Sequence, residues 1–398
     1  MNPGLSLLHA YPFTKLQNLI KGFAPPTHLT PISLSIGEPQ HACPSFVLEA
    51  LTKHALSYSK YPTTQGTESL REVIRNWLLK RFHLSDQYLT GQHILPVSGT
   101  REALFSFAQC VINSHENKLV IAPNPFYQIY EGAALLAGAK LHFVPATKQT
   151  GYNPDFASVS PNILAQCKLL YLCSPHNPTG ATYTLEEYKL LIELAIRHDF
   201  IIASDECYSE IYFDENKPPL GLLQAAESLG LTSYKNCVCF HSLSKRSNLP
   251  GLRSGFVAGD KNIIQAFLHY RTYHGAAMPI PVQEASKIAW QDEKHVIENR
   301  IAYRTKFTMA KEILHDTLKF IIPEGAFYIW PELDCDDETF TQQLYQTQNV
   351  LVLPGSFLSR EVDEVNPGKN HIRIALVADI NKCNIALERI KAFIQSQT

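Results

Sequence analysis

The sequence predicts an α/β fold: a large domain with a mostly parallel sheet of about seven strands covered by helices, plus a smaller α+β domain. Three observations carry this. Short apolar runs alternate with helical patterns through the middle of the 398-residue chain, and such alternation builds parallel sheets buried on both faces. Several polar motifs stand directly after those runs, where open parallel sheets bind their ligands. Beyond Pro279 and Pro281 the alternation gives way to another pattern.

In chain order, residues 1–45 are proline-rich and weakly periodic, so they read as a segment that wraps across the molecule and joins the small domain. Residues 46–280 read as the large domain. Its candidate strands are Ile94–Val97, Leu119–Ala122, Leu141–Val144, Leu169–Cys173, Phe200–Ala203, Val238–His241 and Gly255–Ala258. Helical patterns between them include Thr100–Asn113 and Thr184–His198. Residues 281–398 read as the small domain: a long helical stretch from Pro281 to Leu318, strands in AFYIWP, VLVLPG and HIRIAL, and a final amphipathic helix. No internal repeat or low-complexity tract occurs.

The bulk numbers exclude several classes. A net charge of −2 and a pI near 6.8 give no basic excess for nucleic acid or an anionic membrane. The 16 histidines are scattered without metal-ligand spacing, so no metal is expected. Nine cysteines, an odd number at irregular gaps, read as reduced thiols. The start, MNPGLSLLHAYPF, lacks a basic region ahead of an apolar core. No apolar run approaches the roughly 20 residues of a membrane helix. The expectation is a soluble, cytoplasmic protein acting on small molecules.

Five motifs carry chemistry. In SLSKRSNLPGLRSGF, Lys245 follows a strand with Ser242 and Ser244 beside it and Arg253 eight positions on. A desolvated lysine near another cation is a better nucleophile and forms an imine with an aldehyde; the arginine and hydroxyls suit a phosphate. In VSGTREAL, Gly99 turns the chain and a helix opens at Thr100 and Arg101, where free N–H groups favour an anion. In APNPFYQIY, Tyr127 offers a ring face for stacking. In LLYLCSPHNPTG, Asn177 precedes Pro178, a candidate cis bond. In FIIASDECY, Asp205 ends an apolar strand, a costly place for a carboxylate without a cationic partner. Each motif alone also fits an ordinary strand end, helix cap, turn or core aromatic. Their combination is far more specific.

Together and in this order, from about Thr30 to the C-terminus, these motifs resemble the fold-type I, class I/II aminotransferases. The resemblance implies an aspartate-aminotransferase-like fold in which residues 46–280 bind pyridoxal 5′-phosphate, with Lys245 as the catalytic Schiff-base lysine. It further implies that Gly99, Thr100, Arg101 (through its backbone), Ser242, Ser244 and Arg253 hold the phosphate. Tyr127 would stack on the ring, Asn177 and Tyr208 would donate to its O3′ oxygen, and Asp205 would pair with its nitrogen. Arg373 in HIRIAL would bind the substrate α-carboxylate, Gly37 in SIGEP would let backbone approach the substrate, and Asn177 would lie beside it. Tyr61 would reach the phosphate of a neighbouring subunit, implying a homodimer with shared active sites.

The stretches YPFTKLQNL and YRTYHGAAMPIPVQEAS resemble the succinyldiaminopimelate aminotransferases of lysine biosynthesis. This implies transfer from glutamate to N-succinyl-2-amino-6-oxopimelate, giving N-succinyl-LL-2,6-diaminopimelate and 2-oxoglutarate. A second anion site is then needed, with Arg271 as the first candidate and Arg101 as the next. Three alternatives stay open: an aspartate, alanine or aromatic aminotransferase, a C–S β-lyase with the same cofactor contacts, and a sensor-type transcription regulator. The last lacks a basic domain ahead of Tyr61.

Overall fold

The structure, a computed structural model, describes residues 1–116 and 118–397. β1 (Ile32–Ser33) lies apart from a central seven-stranded sheet. That sheet contains β2 (Ile94–Val97), β3 (Leu119–Asn124), β4 (Lys140–Pro145), β5 (Cys167–Cys173), β6 (Ile201–Asp205), β7 (Cys237–Ser242) and β8 (Gly255–Gly259). Its order is β2-β8-β7-β6-β5-β3-β4. All seven expected strands are in it, with ends shifted by at most two residues. Only β8 runs antiparallel to its neighbours, so β2 through β7 all point their carboxyl ends to one edge.

The strands read as continuous apolar runs because both faces are covered. Along β5, Leu169 and Tyr171 pack into one layer with Leu104, Phe107 and Phe267. Leu170 and Leu172 pack into the opposite layer with Leu70, Trp77 and Ile192. Burying each such Leu or Phe contributes about 1.5–3 kcal/mol. The sheet is therefore a rigid support, and the loops at its edge are left to carry chemistry. The helix Leu185–His198 opens with a reciprocal cap, the Thr184 hydroxyl accepting from Glu187 N–H and the Glu187 carboxylate from Thr184, which satisfies two otherwise orphaned donors.

A second core gathers residues nearer the C-terminus, among them Phe307, Leu314, Ile329, Leu344, Ile374 and Leu387. Here β9 (Tyr328–Ile329), β11 (Leu353–Pro354) and β12 (Ile372–Ala375) form an antiparallel sheet, while β10 (Val350–Leu351) pairs in parallel with β1. The proline-rich start is more ordered than its composition suggests, since Pro12 opens a helix, Pro12–Leu19, where its missing N–H costs nothing. The single helix expected from Pro281 to Leu318 is two, Ile280–Gln291 and Lys294–Leu314. The break falls at Asp292, whose carboxylate accepts from His295 N–H at 3.0 Å and starts the second helix. Among the described residues no helix is long and apolar enough to cross a membrane, and all nine cysteines are free thiols.

Two glycines lock the loop after β5 to the segment that leads into β9. The Gly325 N–H donates to the Gly180 carbonyl at 3.1 Å. A Cβ at Gly325 would stand 2.5 Å from Pro175 Cγ and 2.9 Å from the Ile211 carbonyl oxygen. Gly325→Ala is expected to destabilise the protein by about 1–3 kcal/mol through overpacking, read as a lower denaturant midpoint at constant m-value. An unchanged midpoint would show that the contact is slack.

Candidate active site

The turns following β2, β3, β5, β6 and β7 open onto one cleft of about 380 Å³. Twelve of the expected residues line it: Gly37, Thr100, Arg101, Tyr127, Asn177, Asp205, Tyr208, Ser242, Ser244, Lys245, Arg253 and Arg373. They come from segments more than 300 residues apart in sequence and meet because the strands share a direction.

At the floor, Lys245 keeps some surface toward the cleft, but its Nζ lies deep beneath the walls and donates only to a neutral acceptor, the Gly37 carbonyl, at 2.7 Å. Loss of hydration, helped by the Arg373 charge, brings its pKa down to about 8, since burial penalises the ammonium form. Asp205 is buried and accepts from the Tyr130 hydroxyl at 2.8 Å and from Cys207 N–H at 3.3 Å. Both donors are neutral, and among the described residues Asp205 has no ion-pair partner. Its pKa is raised by burial, with those hydrogen bonds opposing the rise.

One end of the cleft is an anion cradle. Gly99 has φ +87°, and a Cβ there would lie 2.3 Å from Arg253 Nη2, so only glycine lets the guanidinium close over the helix start at Thr100. The Ser242 hydroxyl accepts from Ser244 N–H at 3.0 Å and holds the lysine turn in shape. At the other end, Arg373 donates to Asn177 Oδ1 at 2.9 Å and to the Ser35 carbonyl at 2.7 Å, while its buried Nε has no partner. The Asn177–Pro178 bond is cis.

Two expected residues stand elsewhere. Arg271 does not line the cleft. It is fully buried in the helix Lys261–His274, paired with Glu102 at 2.8 Å and bonded to the Ala276 carbonyl. An arginine spent on a buried pair has no fork left for a substrate, so the assignment of Arg271 to substrate is corrected. Tyr61 is fully exposed and does not reach the cleft of its own chain. Arg101 sits at the cleft mouth, donating to the Tyr127 hydroxyl at 3.0 Å and to the Tyr11 hydroxyl.

Sequence reading missed Tyr11, Tyr130, Cys207 and Tyr328. Tyr130 lies one helical turn beyond Tyr127, a spacing that places two aromatics on one face and was the available signal. Cys207 sits between two named residues, its thiol 3.1 Å from the Thr100 hydroxyl. Tyr328 looked like core within AFYIWP, and Tyr11 carried no signal at all.

A buried carboxylate without a cation, a buried amine without an anion and a glycine-floored cradle under an arginine are the donor set of a fold-type I pyridoxal 5′-phosphate enzyme. Residues 30–390 match the family described as aminotransferase class I and II, and the chain belongs to it. An aminotransferase from Neisseria meningitidis Z2491 is 47% identical, with a TM-score of 0.95 over 99% of this chain and all of the other. Aminotransferase AspB from Helicobacter pylori 26695 is 38% identical, with a TM-score of 0.90 over 98% of this chain and 99% of its own. An LL-diaminopimelate aminotransferase of Nitratidesulfovibrio vulgaris is 30% identical over 366 residues, 90% of each chain. Members of the family use pyridoxal 5′-phosphate, and the cleft fits it: Asp205 has no cation beside it, and at Gly99 the missing side chain lets the Arg253 guanidinium lie against the helix start.

Only the neutral Lys245 amine can attack an aldehyde. Uptake of pyridoxal 5′-phosphate by cofactor-free protein, followed by visible absorbance, should therefore speed up about tenfold per pH unit below 8 and level off above it. A rate flat from pH 6.5 to 9.5 would contradict this. The same shift bears on stability. Between about pH 8 and the ordinary lysine value of 10.5, the unfolded chain holds the proton that the fold lacks, so this contribution to stability rises with pH across that window.

Proposed function

We propose that the protein is a cytoplasmic homodimeric aminotransferase that moves an amino group from glutamate to N-succinyl-2-amino-6-oxopimelate in lysine biosynthesis. The observation that carries the site reading is the convergence of Lys245, Asp205 and the Gly99–Arg253 cradle on one cleft. When bound, pyridoxal 5′-phosphate supplies the aldehyde and an electron-accepting ring.

This chain's residues do the rest. Lys245 is the attachment point, and its freed amine takes the substrate Cα proton. Asp205 keeps the ring nitrogen protonated. Thr100, the N–H groups at Gly99 and Arg101, Ser242, Ser244 and Arg253 bind the phosphate. Tyr127 stacks on the ring. Asn177 accepts from Arg373 through Oδ1, so its Nδ2 keeps donors for the ring oxygen, where Tyr208 donates as well. Arg373 holds the substrate α-carboxylate beside Gly37. Tyr61 reaches the phosphate of a second copy; its exposure together with Leu56 and Tyr58 supports a partner surface.

Support for the substrate comes from the two stretches resembling succinyldiaminopimelate aminotransferases and from relatives named LL-diaminopimelate aminotransferase. With Arg271 excluded, Arg101 at the cleft mouth becomes the cation for the distal anion of this long substrate.

The test is a half-reaction screen with cofactor-loaded protein and single amino donors. Glutamate and N-succinyl-LL-2,6-diaminopimelate should bleach the visible band within seconds, while alanine and phenylalanine leave it. Bleaching by free LL-diaminopimelate in place of the succinylated compound would move the assignment to that substrate. Indifference to both diaminopimelates would remove it. Lys245→Ala should abolish the band and lower turnover by about 10²–10⁴-fold or more; a fully active variant would end the reading.

A further inference from the structure

Tyr328, at the start of β9, is buried in the cleft wall, and its hydroxyl stands 2.8 Å from that of Tyr208. The hydroxyl cannot turn away. A Cβ built on Gly37 would lie 2.0 Å from it, so the glycine backbone closes the space on that side. That same backbone carries the carbonyl on which Lys245 Nζ rests. The Arg373 guanidinium lies over the Tyr328 ring, 4.5 Å from its centre, and the ring centres of the two tyrosines are 5.7 Å apart.

Two phenols that share one hydrogen bond must divide donor and acceptor roles. A cation over one ring draws electron density from its hydroxyl and makes it the better donor. Arg373 lies over the Tyr328 ring at 4.5 Å, closer than Lys245 Nζ stands to the Tyr208 ring at 6.0 Å, and this favours Tyr328 as the donor and Tyr208 as the acceptor. The Tyr208 proton is thereby left to point into the cleft. The reverse arrangement would spend that proton on Tyr328 and leave only lone pairs facing a cofactor ring.

We propose that Tyr328 is a positioning residue: wedged between Gly37 and Tyr208, it donates to the Tyr208 hydroxyl and so aims the Tyr208 proton at the ring oxygen of the bound cofactor. This rests on the pyridoxal-phosphate site proposed above. Arg373, Tyr208, Cys173 and Asp205 are the charged or titratable groups that act on the Tyr328 hydroxyl, and Lys245 is held on the adjoining carbonyl.

The experiment titrates the visible band of the full-length, cofactor-loaded protein. A proton donated to the ring oxygen favours its anionic form and holds the midpoint down. Tyr328→Phe keeps the ring and its place under Arg373 but removes the hydroxyl. It should raise the midpoint by about half to one pH unit. In a Tyr208→Phe background the same change should move the midpoint by no more than about 0.2 unit, because no proton remains to be aimed. An unchanged midpoint in Tyr328→Phe alone would overturn the proposal, as would an equal rise in both backgrounds. Absence of any visible band from the parent protein would remove the cofactor site itself and this inference with it. A band whose midpoint ignores Tyr328 would remove only the inference.

Discussion

A buried carboxylate and a largely desolvated amine face one cleft without pairing with each other. Asp205 is held by neutral donors and Lys245 by a neutral carbonyl. Each is a cost the fold carries, because an unpaired buried charge forfeits hydration without a compensating partner. Much of the surrounding architecture serves to keep this arrangement in place. The layered sheet fixes the strand ends, neutral hydrogen bonds orient the carboxylate, and glycines remove the side chains that would fill the space. A ligand offering a cation to one group and an electrophilic carbon to the other relieves both costs together. Cofactor occupancy and resistance to unfolding are therefore linked.

The sheet and most of the cleft were legible from the chain because their signals are local. A strand buried on both faces is a short apolar run wherever it occurs, and β5 is one. A polar residue directly after such a run fits an ordinary strand end or turn when taken alone, and only the set of motifs in their order along the chain is specific. Lys245, Asp205, Asn177 and Gly99 were picked out by that combination.

What escaped detection depends on tertiary packing. Arg271 stood at a suggestive place in its stretch, yet no sequence spacing announces that Glu102, 169 positions away, has claimed it. Tyr130 and Tyr328 look like core aromatics because they are core aromatics, with a hydroxyl each that happens to face the site. Tyr11 reaches the mouth only because the first helix packs across the cleft edge. The break at Asp292 was hidden by apolar spacing that continues through it, since a carboxylate cap overrides periodicity within one turn.

The single reversed strand shortens the path between two groups of the site. In an all-parallel sheet, each return to the ligand edge takes a crossover of a dozen or more residues. Because β8 runs backwards, its beginning lies where its neighbours end. The chain leaves β7, delivers Lys245, and reaches Arg253 before β8 starts, without leaving that rim. Seven intervening residues thus join the two cations directly, and the distance between nucleophile and anion clamp is set by one short tether. Lengthening that tether would unsettle the spacing of both groups while leaving every strand of the sheet untouched.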